Sequence, residues 1–457
     1  MVQINEEKLQ VQWASLKDKY FTDLSSMPSD CHFSAKKVFK ISLASFLYGF
    51  ISMLLKGGNS LNHWAMQTGN VGGFLLSKQG LDKKLNMVIA HFMSQLLMCV
   101  LRKRLQESGS SLGTGNGLLS SFPNVYLQDS TCMSVPDNLS AYFKSSYSRL
   151  NERATARIQV CMNLKSHYLT SLTLQGYRDN DQKHASVVVP LLKKGDLLIR
   201  DLGYAVLSAF KAIISVQAFF LSRLRADVLV YGLSDTENAL NLHHYLLNCD
   251  KNGQIHVDIS VLLGKKEKVP VRLVALKLPQ KVADERRRKA NLNRDKRCKP
   301  TEASMYLLGW AIFITNVPLT IWQPTDLAKV YRMRWRIEII FKTWKSHFHF
   351  DHIFQTSAMT YPRALISFYL LLLFITLFFV RWFDYFATKI IENSRNAPRW
   401  LSVFKFADFV KLFFDEIFKA DLNQKMPELI KNVQYYCCYD KRKRTNDSQI
   451  LYYNFNS

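Results

Sequence analysis

The chain has 457 residues and carries 61 Lys and Arg against 36 Asp and Glu, a formal net charge of +25. This excess favours a polyanionic partner and salt-sensitive association. Hydrophobic residues make up 48% of the chain, which excludes a disordered basic tail. The length predicts two to four domains. The eight cysteines form no CxxC pair, so we expect reduced thiols rather than a disulfide framework or a zinc module.

Residues 1–115 are predicted to form an all-α domain. Ser34 can cap a helix that ends at Gly57-Gly58, and a later helix over 81–106 ends in basic residues, which suit a helix C-terminus. The Gly- and Ser-rich segment 107–116 is the predicted linker. The N-terminus carries early acids and lacks an apolar stretch, so we expect a cytoplasmic protein without a secretory leader.

Strand patterns begin directly after this linker. Short apolar or alternating runs with β-branched and aromatic residues predict five strands, at 124–129, 156–164, 167–176, 196–201 and 218–224. A helix is predicted between the last two strands, at about 204–215. Three sequential strands, a fourth strand and a helix are the opening of a ribonuclease-H-like α/β domain. We therefore assign 116–225 to the first part of such a core.

The remaining chain is predicted to interrupt and then complete this core. Residues 226–308 are interpreted as a mostly-β insertion, with strands that include MYLLGWAIFITN and a basic helix that is either a solvated face or a phosphate-contacting surface. Residues 309–380 form the second part of the core, with a strong helix over 326–348. The tail, 381–457, is predicted to be helical and is a candidate dimer contact.

One segment has the composition of a membrane span. Residues 364–380 are uncharged and rich in Leu and Phe, and their length is at the bottom of the spanning range of about 17–25 residues. A single such helix inside a long basic chain is more often a buried core helix. We predict a core helix and no membrane partner.

Three acids are distinguished by their positions. Asp129 and Asp201 each close a short apolar strand, and Glu338 lies on the helix predicted over 326–348. Carboxylates from two strand ends and a nearby helix make a set of hard oxygen ligands that suits Mg²⁺ or Mn²⁺. Two such ions can activate the attacking oxygen and stabilise the leaving oxygen of a phosphodiester. We therefore predict a two-metal site for phosphodiester transfer.

Glu338 shares its helix face with two cations and a phenol. Tyr331, Arg334, Glu338 and Lys345 stand at i, i+3, i+7 and i+14, and at about 100° per residue they project within a stripe of roughly 60°. A surface ladder of salt bridges is the alternative interpretation. Beside the three acids, Arg334 and Lys345 would hold non-scissile phosphates.

Other polar side chains are predicted to be solvated. Asp179 and Asp181 lie in a polar loop after the third strand, where acids usually face water. His347, His349 and His352 are near one another but have no Cys or Glu at a familiar metal spacing. Both groups are left out of the predicted site.

The spacing of these residues resembles a known family. Tyr331-x2-Arg334-x3-Glu338-x6-Lys345 fits the Y-R-E-K signature of the insertion-sequence-four family of bacterial DDE transposases. Asp201-Leu-Gly-Tyr resembles the second-Asp motif of that family, and Gln128-Asp129-Ser-Thr resembles the first. The resemblance covers about residues 120–350.

The resemblance implies a ribonuclease-H-like catalytic core with an inserted β-rich subdomain. It implies a DNA transposase that binds the terminal inverted repeats of its element through residues 1–115, cleaves with two Mg²⁺ or Mn²⁺ ions through a DNA hairpin, and joins 3′ ends to target DNA. It also implies a homodimer in the synaptic complex and a cytoplasmic, nucleoid-associated bacterial protein. In relatives, a Trp at the position of Trp310 stacks on a flipped base, and an Arg at the position of Arg223 lies near the same hairpin. Without the resemblance, Trp310 is interpreted as a core aromatic of a strand and Arg223 as a surface charge at a strand end.

Two other functions use a similar core. A ribonuclease-H-like, structure-specific DNA nuclease would lack the long insertion and the Y-R-E-K helix. An inactive DNA-binding descendant of a transposase is disfavoured because Asp129, Asp201 and Glu338 are all present.

Overall fold

The computed structural model describes most of the chain. The described residues are 41–107, 117–145, 154–292, 301–354, 356, 358–393, 399–419 and 422–439. The predicted helix start at Ser34, the linker and the last residues of the tail lie outside these ranges. Six cysteines fall within them and are free thiols, as predicted.

Helices form the N-terminal part of the described chain. They are α1 (Leu43–Leu55), α2 (Leu61–Gly72), α3 (Lys78–Asp82) and α4 (Met87–Glu107). Ser42 caps α1, because its hydroxyl accepts from the backbone N–H of Ser45. The helix ends before Gly57, whose positive φ of 73° suits a residue without a side chain.

A single mixed sheet of nine strands is the centre of the described chain. The strands are β1 (Val125–Val135), β2 (Ala154–Asn163), β3 (Leu169–Gly176), β4 (Leu197–Arg200), β5 (Phe219–Arg223), β6 (Val230–Gly232), β7 (His256–Leu263), β8 (Val269–Lys277) and β9 (Trp310–Thr315). Their order is β3-β2-β1-β4-β5-β9-β8-β7-β6. Strands β4 and β5 run parallel to β1, and the other neighbouring pairs are antiparallel.

The sheet separates two hydrophobic cores. Leu197 and Ile199 of β4 belong to the larger core, which also contains the N-terminal and C-terminal helices. Leu198, between them, belongs to the second core on the other face. A strand buried on both faces explains why 196–201 is a continuous apolar run rather than an alternating one.

The register of β1 and β4 places two of the predicted acids side by side. The two strands pair from Val125↔Leu197 to Gln128↔Arg200, so Asp129 and Asp201 directly follow the last pair. Asp201 ends its strand as predicted. The prediction that Asp129 also ends a strand is wrong, because β1 continues to Val135 along its other neighbour, β2.

The segment 226–308 does not form a separate sheet. Its strands β6, β7 and β8 extend the core sheet through β9, which pairs with β5. It also contains α7 (Leu242–Lys251), α8 (Gln280–Asn291) and α9 (Glu302–Leu307). The start of the predicted strand MYLLGWAIFITN is therefore helical, and the strand itself begins at Trp310. Two short helices precede this segment, α5 (Asp181–His184) and α6 (Leu207–Ser215).

The helix predicted over 326–348 is present but not continuous. It consists of α10 (Pro324–Arg332), α11 (Trp335–Lys342) and a wide π turn, Thr343–His347. Between α10 and α11 the backbone tightens into i→i−3 hydrogen bonds, such as Arg334 N–H to Tyr331 O and Ile337 N–H to Arg334 O. The spacing of apolar residues in the sequence does not distinguish this tightening from a regular helix. Met333 and Arg334, between the two helices, keep right-handed helical backbone angles.

The apolar segment 364–380 lies inside a long helical run. This run comprises α12 (Tyr361–Phe374), a π turn (Ile375–Phe379) and α13 (Val380–Glu392), and α14 (Val403–Lys419) and α15 (Leu422–Tyr436) follow it. By length and composition the run Tyr361–Glu392 could cross a membrane, but 94% of its most apolar window is buried inside the protein. The packing therefore agrees with the predicted core helix.

Phe374 on α12 connects distant parts of the larger core. Its ring contacts Phe348, which follows the Glu338 helix, and Phe414 on α14, with centroids 5.7 and 5.8 Å away. Phe374→Ala would leave a cavity between these rings, so we expect a loss of about 3–5 kcal/mol in the free energy of unfolding, measured by urea denaturation.

The matched control for this substitution is Leu412→Ala on α14. Leu412 is 76% exposed, so its replacement should change the free energy of unfolding by no more than about 0.5 kcal/mol. Equal losses from both variants would contradict the central position of Phe374 in the core.

Candidate active site

One guanidinium joins the three predicted acids. Arg334 Nη1 lies 2.9 Å from Asp129 Oδ2, Nη2 lies 2.5 Å from Glu338 Oε1, and Nε lies 3.9 Å from Asp201 Oδ1. The structure thus brings Asp129, Asp201, Glu338 and Arg334 together, although two strands and a helix supply them.

The local backbone explains how the side chains of Tyr331 and Arg334 both approach Asp201. Side chains three residues apart align when a helix tightens to i→i−3 bonds, and this tightening occurs at Arg334. Tyr331 Oη donates a hydrogen bond of 3.0 Å to Asp201 Oδ1. The Tyr331 ring is supported by Phe313 on β9, with centroids 5.3 Å apart. Burial, and then the nearby Asp201, raise the pKa of Tyr331, so the phenol stays protonated and can donate.

The three carboxylates carry more negative charge than Arg334 can compensate. Asp129 is only 14% exposed. Its burial raises the pKa of its carboxyl to about 7, although the Ser130 N–H and Arg334 act in the opposite direction. The charges of Asp201 and Glu338 raise it further. For Arg334, burial lowers the pKa but the surrounding carboxylates outweigh it, so the guanidinium remains charged.

The remaining predicted cations lie around this centre rather than in it. Lys345 Nζ donates to the carbonyl of Cys132 on β1 at 2.6 Å, so it lies along the strand that carries Asp129. Arg223 ends β5 opposite Phe313 and is close enough to Tyr331 to affect its pKa. Arg286 on the basic helix α8 was not singled out from the sequence, and its Nη1 donates to the Trp310 carbonyl at 3.3 Å.

Trp310 does not fit the predicted base-stacking role. Its side chain is 3% exposed and packs in the second core with the strands of the inserted segment. A base cannot reach this ring unless the core opens, so the family spacing between Trp310 and Tyr331 does not give an accessible platform. Trp335, directly after Arg334, is 54% exposed and is the aromatic side chain that the sequence analysis missed.

The two loop acids have different environments. Asp179 is exposed and accepts from Lys183 Nζ, as expected for a solvated acid. Asp181 is partly buried and forms an ion pair of 2.7 Å with Arg157 on β2, so the prediction that it is a solvated loop acid is wrong. The local sequence contains no sign of this contact, because β2 is brought to Asp181 only by the sheet.

The charge of the site fits a divalent cation, although a closed metal cage is not preformed. Among the described residues, no three His, Cys, Asp or Glu side chains are grouped as a metal site. The three acids instead surround the Arg334 guanidinium, and when Asp129 is ionised they place three negative charges against one positive charge. Carboxylate oxygens are the ligands that Mg²⁺ and Mn²⁺ prefer, and a dication would offset the remaining charge.

The chain is similar in sequence to transposases of insertion sequences. The chain is 28% identical over 306 residues to the transposase for insertion sequence element IS231E of Bacillus thuringiensis subsp. finitimus, and the match covers 64% of this chain and 63% of that protein. It is 21% identical over 301 residues to the IS1151 transposase of Clostridium perfringens, covering 61% of each. The chain therefore spans less than two thirds of the length of these relatives.

The chain also aligns with a solved structure and matches a family model. A piggyBac transposase synaptic complex with hairpin DNA aligns with 96% of this chain and 84% of that chain, at 10% identity and a TM-score of 0.42, a level that supports no argument. The model of the transposase DDE domain matches residues 120–355, just over half of the chain, and this range contains Asp129, Asp201 and Glu338. The chain therefore belongs to the transposase DDE domain family.

Proposed function

We propose that this protein is a DNA transposase of a bacterial insertion sequence, which cuts DNA at the element ends and joins the 3′ ends to target DNA. The observation that carries the proposal is the convergence of Asp129, Asp201 and Glu338 on Arg334 within the matched family domain. The strand order β3-β2-β1-β4-β5, with β4 and β5 parallel to β1, supports a ribonuclease-H-like core. The Y-R-E-K spacing supports the insertion-sequence-four assignment.

The three carboxylates would hold two Mg²⁺ or Mn²⁺ ions next to the scissile phosphate. The ions would supply Lewis-acid activation of the attacking oxygen and stabilisation of the leaving oxygen. Tyr331 holds the Asp201 carboxylate through its hydroxyl, and the Ser130 N–H holds Asp129 at 2.8 Å. Arg334, freed from part of its charge pairing when cations bind, would contact the phosphate in a bidentate manner.

Basic and aromatic side chains around the site would position the DNA. Arg223 and Arg286 form no ion pair with the residues that the structure describes, whereas Lys289 on the same helix as Arg286 pairs with Glu285. Both guanidiniums lie near the carboxylate site. Because neither is paired with a described acid, both are suited to binding backbone phosphates. The exposed ring of Trp335 adds an apolar surface on which a nucleobase can stack.

Further parts of the proposal follow from the family resemblance. Residues 1–115 would recognise the terminal inverted repeats, and two copies of the chain would pair the ends before cleavage, with 381–457 as a dimer contact. Cleavage through a DNA hairpin and a cytoplasmic, nucleoid-associated location belong to the same proposal. None of them requires Trp310 as a stacking platform.

Replacing the carboxylates tests the proposed chemistry. Asp129→Asn, Asp201→Asn and Glu338→Gln should each abolish Mg²⁺-dependent nicking of DNA that carries the sequences flanking the gene, because a lost ligand disables the metal clamp. DNA binding should persist in a gel-shift assay. Asp179→Asn, at an exposed acid paired with Lys183, is the matched control and should nick normally.

The products separate a transposase from a nuclease. With a supercoiled target plasmid, the parent protein should join the cut 3′ ends to the plasmid. Cutting without joined products would favour the structure-specific nuclease, and nicking by Asp129→Asn at the parental rate would contradict the metal assignment.

The charge balance at Arg334 predicts a pH-dependent stability. The pKa of Asp129 is raised from its ordinary value of 3.8 to about 7, so its ionisation opposes folding, and this cost grows as the pH rises from about 4 to 7. Arg334→Gln should therefore lower the free energy of unfolding by on the order of 2 kcal/mol at pH 8 in EDTA, and by less at pH 5, where Asp129 is protonated. Urea denaturation at both pH values measures the difference.

The control for this prediction is Arg332→Gln, which removes the same charge from an exposed position two residues earlier. It should change the free energy of unfolding by no more than about 0.5 kcal/mol at either pH. A loss for Arg334→Gln that is the same at pH 5 and pH 8 would show that compensation of the carboxylates is not its role.

Phosphate binding by Arg286 predicts a change in the salt dependence of DNA binding. Arg286→Gln should reduce the slope of log affinity against log salt by about 1, because one phosphate contact and its released counterion are lost. Lys289→Gln changes the formal charge of the same helix equally and should leave the slope unchanged. Equal slopes for both variants would remove Arg286 from the DNA surface.

A further inference from the structure

A short segment beside the site contacts both strands that lead to the predicted acids. This segment, Asp181–Ala185, is called here the bracket. The Gln128 amide, which precedes Asp129, donates to the His184 carbonyl at 3.1 Å. The Arg200 guanidinium, which precedes Asp201, donates to the Ala185 carbonyl at 2.8 Å and is fully buried. The bracket therefore holds the residue before each acid.

Asp181 extends these contacts to Ser130, the residue that follows Asp129. Its Oδ1 accepts hydrogen bonds from Ser130 Oγ at 2.8 Å, from Arg157 Nη1 at 2.7 Å and from Gln159 Nε2 at 3.0 Å. Three donors on one carboxylate oxygen, one of them a charged guanidinium, fix its position. Gln159 in turn accepts from the Tyr204 hydroxyl, which follows Asp201 by three residues.

These contacts reach the Asp129 carboxylate through one further hydrogen bond, and on the other strand they reach the turn that follows Asp201. The backbone N–H of Ser130 donates to Asp129 Oδ1 at 2.8 Å, so the position of Ser130 orients the Asp129 carboxylate. On the other strand, Asp181 Oδ2 lies against Gly203, two residues after Asp201, where a Cβ would approach it to 2.9 Å. The glycine of the Asp-Leu-Gly-Tyr motif thus allows Asp181 to pack directly on the turn.

We propose that Asp181 is a positioning residue that sets the separation and orientation of Asp129 and Asp201, by accepting a hydrogen bond from Ser130 and packing against Gly203 at the same time. This inference rests on the proposed metal-dependent cleavage of DNA. Asp181 itself is not assigned as a ligand, because its Oδ1 already accepts three hydrogen bonds from Ser130, Arg157 and Gln159. Side chains that orient metal ligands typically change metal affinity by 10–100-fold when they are replaced.

The test measures metal binding apart from DNA cleavage. Mn²⁺ is titrated into the full chain without DNA, and binding is followed by water proton relaxation. Asp181→Asn keeps the shape but loses the charge that pairs with Arg157, and should weaken the Asp129-dependent binding of Mn²⁺ about 10-fold. In single-turnover nicking, the same variant should need about 10-fold more Mg²⁺ and approach the parental rate at saturation, whereas its affinity for DNA stays unchanged.

Gly203→Ala tests the same contact from the opposite strand. The glycine needs no left-handed backbone, since its φ is not among the positive values, so the added methyl acts through its approach to Asp181. We expect a similar loss of Mn²⁺ affinity. In the double variant Asp181→Asn/Gly203→Ala, the loss should be smaller than the sum of the losses in Asp181→Asn and Gly203→Ala, because both act on one contact.

The control is Asp179→Asn, which removes an exposed acid from the same loop and should bind Mn²⁺ like the parent. Parental Mn²⁺ affinity in both Asp181→Asn and Gly203→Ala, or additive losses in the double variant, would overturn the positioning role and leave the proposed function intact. If the parent shows no Mn²⁺ binding that Asp129→Asn removes, the metal-dependent function falls and the inference falls with it.

Discussion

A single guanidinium charge between three carboxylates is the interaction on which the rest of the site depends. Arg334 contacts acids that come from β1, from the end of β4 and from α11, so its position requires all three elements to be in register. Without it, three like charges would face one another in a partly buried site, which is unfavourable in any fold. The tightened backbone between α10 and α11 and the Tyr331–Asp201 hydrogen bond serve the same convergence.

The sheet supplies the rigidity that this convergence needs. Because β9 joins the inserted segment to β5, the strands after the core continue the same hydrogen-bonded layer. Helix α8 is thereby held near the site, and Arg286 reaches the first residue of β9. The two hydrophobic cores on opposite faces of the sheet hold β4, which is only four residues long, in place next to Asp201.

The parts of this structure that depend on local patterns could be predicted from the sequence. The strand predicted at 167–176 is present as β3, because its β-branched and aromatic residues form a local pattern. The helix spacing correctly grouped Tyr331, Arg334 and Glu338. For Trp310 the residue pattern favoured a core aromatic and the family resemblance favoured a base platform, and for Asp181 the local sequence contained no sign of an ion pair. Burial of Trp310 depends on strands far along the chain, and Asp181 becomes a polar centre only because Arg157 and Gln159 arrive from β2.

The π turn Thr343–His347 has a consequence for how this chain can vary in length. It begins five residues after Glu338 and contains Lys345, whose ammonium donates to the Cys132 carbonyl. Loss of one residue there would rotate everything that follows by about 100° relative to Glu338 and move Phe348 out of contact with Phe374. Surface loops tolerate insertions and deletions. We expect the segment from Glu338 to Phe348 to keep a fixed length, because Lys345 and Phe348 each contact another part of the fold.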